Sequence, residues 1–200
     1  MSKIVAFREE IFSAINELLK QRSFIFLWGK TGSGKSVLLK RLAKAQNAGF
    51  ISEIFENEDA LKESILKLKS QGVRVIIIDE LGTYSKNLLE NLRIYSDELS
   101  FVLSSHKKIK LFKKDYFKSR LSACFELKKP SLRELDEYIR AKFGLEFALK
   151  NIKFLEKICK GNLRYIDKIL KSFCELKPYF SVNKTDYILR LSALENELLR

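Results

Sequence analysis

"FLWGKTGSGKSVLL", residues 26–39, sets three glycines and two lysines between two apolar runs. Gly29, Gly34, Lys35 and Ser36 fill the pattern G-x-x-x-x-G-K-[ST], and Gly32 adds a further glycine. The pattern has a mechanical basis. Glycines let the backbone bend until successive N–H groups point at one anion. A helix opening near Gly34 aims its positive dipole end at the same place. Lys35 adds a full charge toward the β- and γ-phosphates, and the Ser36 hydroxyl suits Mg2+. Gly29, Lys30, Thr31, Gly32, Ser33, Gly34, Lys35 and Ser36 are therefore expected to cradle a nucleotide. The flanks agree: "SFIFLWG" reads as a buried strand and "SVLLKRLAKAQ" as a helix. A Lys- and Gly-rich surface turn would not account for them.

Strands and helices continue to alternate outward from this loop. Upstream, "REEIFSAINELLKQ" places Ile11, Phe12, Ile15, Leu18 and Leu19 on one helical stripe. Downstream, "GFISEIF" reads as a second strand. "NEDALKESILKLKSQG" reads as a helix capped by Asn57 and stopped at Gly72. "VRVIIIDELG" is a strand apolar on both faces, as in a parallel sheet covered by helices. The helix "KNLLENLRIYSDE", the strand "SFVLSS" and a short strand in "SACFEL" follow. This alternation predicts an α/β fold with a parallel sheet. After Pro130 only helical patterns remain. "SLRELDEYIRAKFG" carries a Ser131/Glu134 capping box and a Gly144 stop, and three further helical stretches follow. The expected domains are an α/β core over 1–129 and a helical unit over 130–200.

Two hundred residues with 46% apolar content can build a real core, and only 2 prolines and 8 glycines argue against a linker-rich chain. Lys and Arg number 38 against 25 Asp and Glu, a net charge of +13, which attracts polyanions or simply keeps the surface solvated. Cys124, Cys159 and Cys174 form no CxxC pair, and with one histidine a zinc site is not expected. Cys159 and Cys174 lie on apolar helical positions and read as core fillers, which suits a reducing cytosol. The N-terminus carries charges where a signal peptide needs apolar residues, and no apolar run reaches the ~20 residues a bilayer requires. Any membrane contact is expected to be peripheral.

"VIIIDE" puts Asp79 and Glu80 at the end of an apolar strand, 43 residues after Ser36. In a parallel sheet that strand end faces the same crevice as the phosphate loop. Asp79 is then expected to serve Mg2+ together with Ser36, and Glu80 to act as a base on an attacking water. Acids also end strands merely where the chain meets solvent. Paired with the glycine loop, the DE pair favours hydrolysis.

With these residues in place the chain resembles the AAA+ ATPase superfamily. "GKTGSGKS" is similar to Walker A, though without the proline common near its start and with Ser33 where a threonine commonly precedes the second conserved glycine, and "IIIDE" to Walker B with its catalytic glutamate. "FVLSSH" resembles the sensor 1 strand, with Ser104 and Ser105 as candidates for the polar sensor. "KSRLSACFEL" resembles the stretch holding an arginine finger in initiator and clamp-loader relatives, which implies Arg120. "GNLRYIDKIL" resembles the lid helix bearing a sensor 2 arginine, which implies Arg164. The resemblance implies a P-loop NTPase with a five-stranded parallel sheet flanked by helices, followed by a small all-α lid. It further implies ATP and Mg2+ as cofactors, and homo-oligomers in which Arg120 reaches a neighbour's nucleotide. A surface ion pair is the alternative for either arginine.

"HKKIKLFKKDYFK", residues 106–118, interleaves six lysines with Phe112, Tyr116 and Phe117. Such a stretch either contacts a nucleic-acid backbone or buries its aromatics beneath a solvated lysine face. His106 is expected only to cap a strand end. The sequence shows no helix-turn-helix or winged domain after the lid, so a complete replication initiator is not expected. The expectation is an ATPase doing conformational work on a DNA-handling machine, with DNA uptake or a secretion-type assembly as the favoured setting. That setting implies a cytoplasmic protein, peripheral on an inner-membrane component. Two alternatives stand beside it: an initiator-like loader, and a nucleotide-dependent switch with little hydrolysis.

Overall fold

The computed structural model describes residues 8–55, 57–180 and 184–199. It divides into an α/β unit, residues 8–30 and 35–127, and a helical unit, residues 31–34 and 128–199. The tip of the glycine loop thus groups with the helical residues.

The α/β unit runs α1 (Glu9–Leu18), β1 (Phe24–Trp28), α2 (Lys35–Gln46), β2 (Gly49–Ile51), α3 (Glu58–Ser70), β3 (Val75–Ile78), α4 (Lys86–Tyr95), β4 (Ser100–Ser105), the single turn α5 (Asp115–Lys118) and β5 (Ala123–Glu126). The strands form one parallel sheet in the order β2-β3-β4-β1-β5. Alternate side chains leave a strand on opposite faces, and here both faces are buried. Phe24, Phe26, Ile76, Ile78, Phe101 and Leu103 pack with Leu61 and Ile65 of α3 and Leu88, Leu89 and Leu92 of α4. Ile25, Leu27, Ile77 and Val102 pack on the other face with Ile15 of α1 and Leu38, Leu39 and Leu42 of α2. Arg41 ties α1 to α2, with its guanidinium 3.6 Å from the Phe12 ring centroid and 2.7 Å from Glu9 Oε1.

Local chemistry sets the helix ends. Asn57 caps α3 by accepting from Ala60 N–H at 2.9 Å, and Gly72 follows α3 with φ +79°. The second expected strand is shorter than "GFISEIF", ending at Ile51.

The helical unit contains α6 (Leu132–Phe143), α7 (Leu149–Cys159), α8 (Leu163–Leu176) and α9 (Thr185–Glu195). The Ser131/Glu134 capping box is formed in both directions, and Gly144 closes α6 in the left-handed region. Leu135, Ile139, Ile152, Leu155, Ile166, Ile169, Leu170, Phe173 and Leu189 form its core. Tyr138 is buried among them, and its hydroxyl donates to Asp167 Oδ1 at 2.8 Å, while Lys142 Nζ donates to Asp167 Oδ2 at 2.6 Å. Cys159 is buried as expected, but Cys174 is exposed. The buried stripe of α8 runs through Leu163, Ile166, Ile169, Leu170 and Phe173. One further residue turns the helix by about 100°, which carries Cys174 off that stripe.

Candidate nucleotide site

Strand register assembles the site at the carboxyl ends of three neighbouring strands. β4 lies between β1, which leads into the glycine loop, and β3, which ends at Asp79. Ile78 pairs with Leu103 and Leu27 with Ser104, so the next residue along β3, Asp79, comes beside Ser104. Asp79 is 8% exposed, and both its carboxylate oxygens accept hydrogen bonds. Ser36 Oγ donates to Oδ2 at 2.8 Å, and Oδ1 accepts from Ser104 Oγ and from the Glu80 N–H. Glu80 has φ +60° and ψ +38°. A left-handed conformation at a non-glycine residue is uncommon. Here it turns the chain out of β3 and leaves Glu80 exposed beside a buried Asp79.

The loop is closed by its own lysine. Lys35, the first residue of α2, donates from Nζ to Gly29 O at 2.6 Å and to Lys30 O at 3.2 Å. Gly29 N–H donates to Ser105 O at 3.2 Å, fixing the start of the loop to β4. Gly32 and Gly34 have φ of +79° and +96°. Thr31 is exposed, whereas Ser33 is buried and its Oγ has no hydrogen-bond partner.

These atoms fit a triphosphate with a hard divalent cation. Ser33 Oγ is a buried donor lacking an acceptor, which a phosphate oxygen would supply. Lys35 holds its charge inside the loop. The Ser36 hydroxyl and the Asp79 carboxylate form an all-oxygen pair, the donor type Mg2+ prefers.

The remaining candidates fall elsewhere. Ser105 Oγ accepts from Lys107 N–H at 3.2 Å rather than joining the Asp79 cluster, and His106 is exposed past the strand end. Arg120 pairs with Asp97 of its own chain at 2.7 Å, and its Nε is buried without a partner. Arg164 is exposed on the first turn of α8, and its backbone N–H donates to Asn162 Oδ1 at 3.0 Å. In the basic stretch Phe112 and Phe117 are buried, and the Phe112 ring stands 4.6 Å from Phe26. Tyr116 and the six lysines stay exposed, with Lys108 Nζ 4.5 Å from the Trp28 ring centroid. The two readings of that stretch divide by residue: two aromatics are core, one is surface.

Asp97 and Asn162 were not singled out in the sequence. Asp97 lies in a turn after α4 with nothing in its surroundings to mark it. Asn162 stands directly before the helical run that begins at Leu163, as an N-cap should.

No family model and no curated protein matches the sequence. Solved structures do. The Thermotoga maritima RuvB Holliday junction branch migration motor superposes with a TM-score of 0.67 at 17% identity, over 94% of this chain and 69% of that one. A point mutant of the same protein gives 0.67 at 15% identity, over 93% and 68%. The two proteins share a fold. At this identity the likeness to RuvB is one of fold, and at that level the architecture expected from the sequence stands: a five-stranded parallel sheet flanked by helices, with further helices after it. Among the described residues, no helix is long and apolar enough to cross a membrane.

Proposed function

We propose that this chain is a Mg2+-dependent ATPase that couples nucleotide binding and hydrolysis to conformational work on DNA or a DNA-handling assembly. The observation that carries the reading is the Ser36–Asp79 hydrogen bond of 2.8 Å. It joins the helix that opens at the glycine loop to the acid ending β3, the two places from which a nucleotide-bound cation would be held.

The roles of the chain's own groups follow from their chemistry. Loop residues 29–36 would bind the phosphates, and Lys35, now on the Gly29 and Lys30 carbonyls, would supply a full positive charge to them. Ser36 and Asp79 would hold Mg2+ through their oxygens, and the cation would supply positive charge against the phosphates. When bound, ATP with Mg2+ supplies the γ-phosphoryl group that is transferred to water. Ser104 keeps the Asp79 carboxylate in place, and exposed Glu80 takes the proton of the attacking water. Ser105 anchors the loop through its carbonyl. Arg164 senses the nucleotide of its own subunit. Arg120 leaves Asp97 to complete a neighbour's site, which makes full activity depend on homo-oligomerisation.

DNA as the object of work is supported by the fold shared with a Holliday junction branch migration motor, by the net charge of +13, and by the exposed lysines and Tyr116 of residues 106–118. The narrower setting we propose, a DNA-uptake or secretion-type assembly with a membrane-bound partner, is in keeping with the same basic charge. ATPase rate measured against protein concentration, with and without DNA, tests the reading. A rate per subunit that rises with both is expected. No turnover together with no ATP binding would sink it, while tight binding without turnover would favour the switch.

A further inference from the structure

The loop tip and α8 hold each other through two contacts within the helical unit. Leu163 N–H donates to Gly32 O at 2.9 Å. The Asn162 side chain lies against Gly32 so closely that a Cβ there would stand 1.9 Å from Asn162 Oδ1 and 2.3 Å from its Cγ. Gly32 is thus glycine for two reasons, its φ of +79° and the side chain covering it.

A trans peptide points its C=O and the following N–H in opposite directions. With the Gly32 carbonyl turned to Leu163, the Ser33 N–H faces away from α8. Leu163 is the first residue of α8, so its N–H has no acceptor within the helix. Gly32 O satisfies it, and one bond settles two backbone groups.

We propose that Asn162 and the Leu163 N–H are positioning groups for the phosphate loop. They fix the Gly32–Ser33 peptide so that its N–H is offered to the nucleotide, and they make nucleotide affinity depend on the start of α8. The proposal rests on the reading of residues 29–36 as the triphosphate cradle.

Proline isolates the bond. It lacks the N–H but suits the first position of a helix, and Asn162, with φ −84° and ψ 108°, already has the extended backbone that precedes proline. Leu163→Pro is compared with Leu163→Ala, which also loses the side chain but keeps the N–H. Fluorescent ATP titration is expected to show Leu163→Pro several-fold to about tenfold weaker than Leu163→Ala, the scale of one hydrogen bond. In the nucleotide-free protein, hydrogen exchange over residues 29–38 is expected to be faster in Leu163→Pro. Equal affinity and equal exchange in the two variants would overturn the proposal. Should Leu163→Pro not fold, Asn162→Ser decides: serine still caps α8 but is too short to cover Gly32. Weaker binding with an unchanged melt supports the proposal, and wild-type binding and exchange overturn it. The exchange comparison needs no nucleotide, so loop positioning stands or falls separately even if the wild-type chain binds no ATP.

Discussion

Ser36 and Asp79, 43 residues apart in the chain, share a hydrogen bond of 2.8 Å, and the other Asp79 oxygen accepts from Ser104 and the Glu80 N–H. A buried carboxylate with this many donors is an organising centre. Asp79→Ala would leave the fully buried Ser104 hydroxyl without its acceptor. The expected cost is about 1–3 kcal/mol of stability, read by urea denaturation, together with loss of Mg2+-dependent nucleotide binding.

Lys35→Ala and Glu80→Gln should separate binding from turnover. Lys35 lies within the loop, so its removal is expected to weaken ATP binding by tenfold or more, about 1.4 kcal/mol at least. Glu80 joins the Asp79 cluster only through its backbone N–H, which glutamine keeps, and the residue is exposed, so Glu80→Gln is expected to bind ATP normally. If Glu80 is the base, hydrolysis falls by about 10²–10⁴. Normal turnover in Glu80→Gln would remove it from the mechanism.

Arg120 and Asp97 form a partly exposed pair, and such pairs contribute at most about 1 kcal/mol. Arg120→Ala is therefore expected to leave the melting curve almost unchanged. As a finger acting on a neighbour, its loss should lower the assembled ATPase rate by about 10³ or more. An unchanged rate at high protein concentration would reduce Arg120 to the surface pair.

Alkali should destabilise the fold. Burial pushes the Cys159 thiol up to about 12 from 9.0, and burial with the Glu53 charge pushes Tyr84 up to about 12 from 10.0. Burial also raises Tyr138, with the Asp167 carboxylate adding to the shift. In each case the folded state holds its proton while the unfolded state releases it. Stability is then fully present below the unfolded values and falls as pH rises toward the folded ones. Cys159 should contribute a loss of up to about 1.4 kcal/mol per pH unit between 9 and 12. Denaturation followed from pH 8 to 11 is expected to show the decline, and Cys159→Ala to flatten its first part.

Thiol labelling gives an independent check on the helical unit. Cys124 and Cys174 are exposed and Cys159 is buried. A disulfide reagent is expected to modify two thiols in the native protein and the third only after unfolding. Protection of Cys174 would mean that α8 is rotated from the face described.

The sequence by itself determined the alternation of strands and helices, the glycine loop, the acid pair closing β3, and the capping box at Ser131. Each of these is written in neighbouring residues through hydrophobic period, capping chemistry or fixed spacing. Only the tertiary structure decided which distant residues meet. The strand order brings Ser104 to Asp79, though no local pattern distinguishes Ser104 from Ser105. The turn after α4 brings Asp97 to Arg120, and the loop tip brings Gly32 to Asn162. Cys174 shows the same limit, since its apolar neighbours suggested burial and the phase of α8 against its own core decided exposure. Local preferences act over one or two turns of chain. Register, helix phase and long-range hydrogen bonds are set by packing of the whole core, where a shift of one residue changes which side chain meets which.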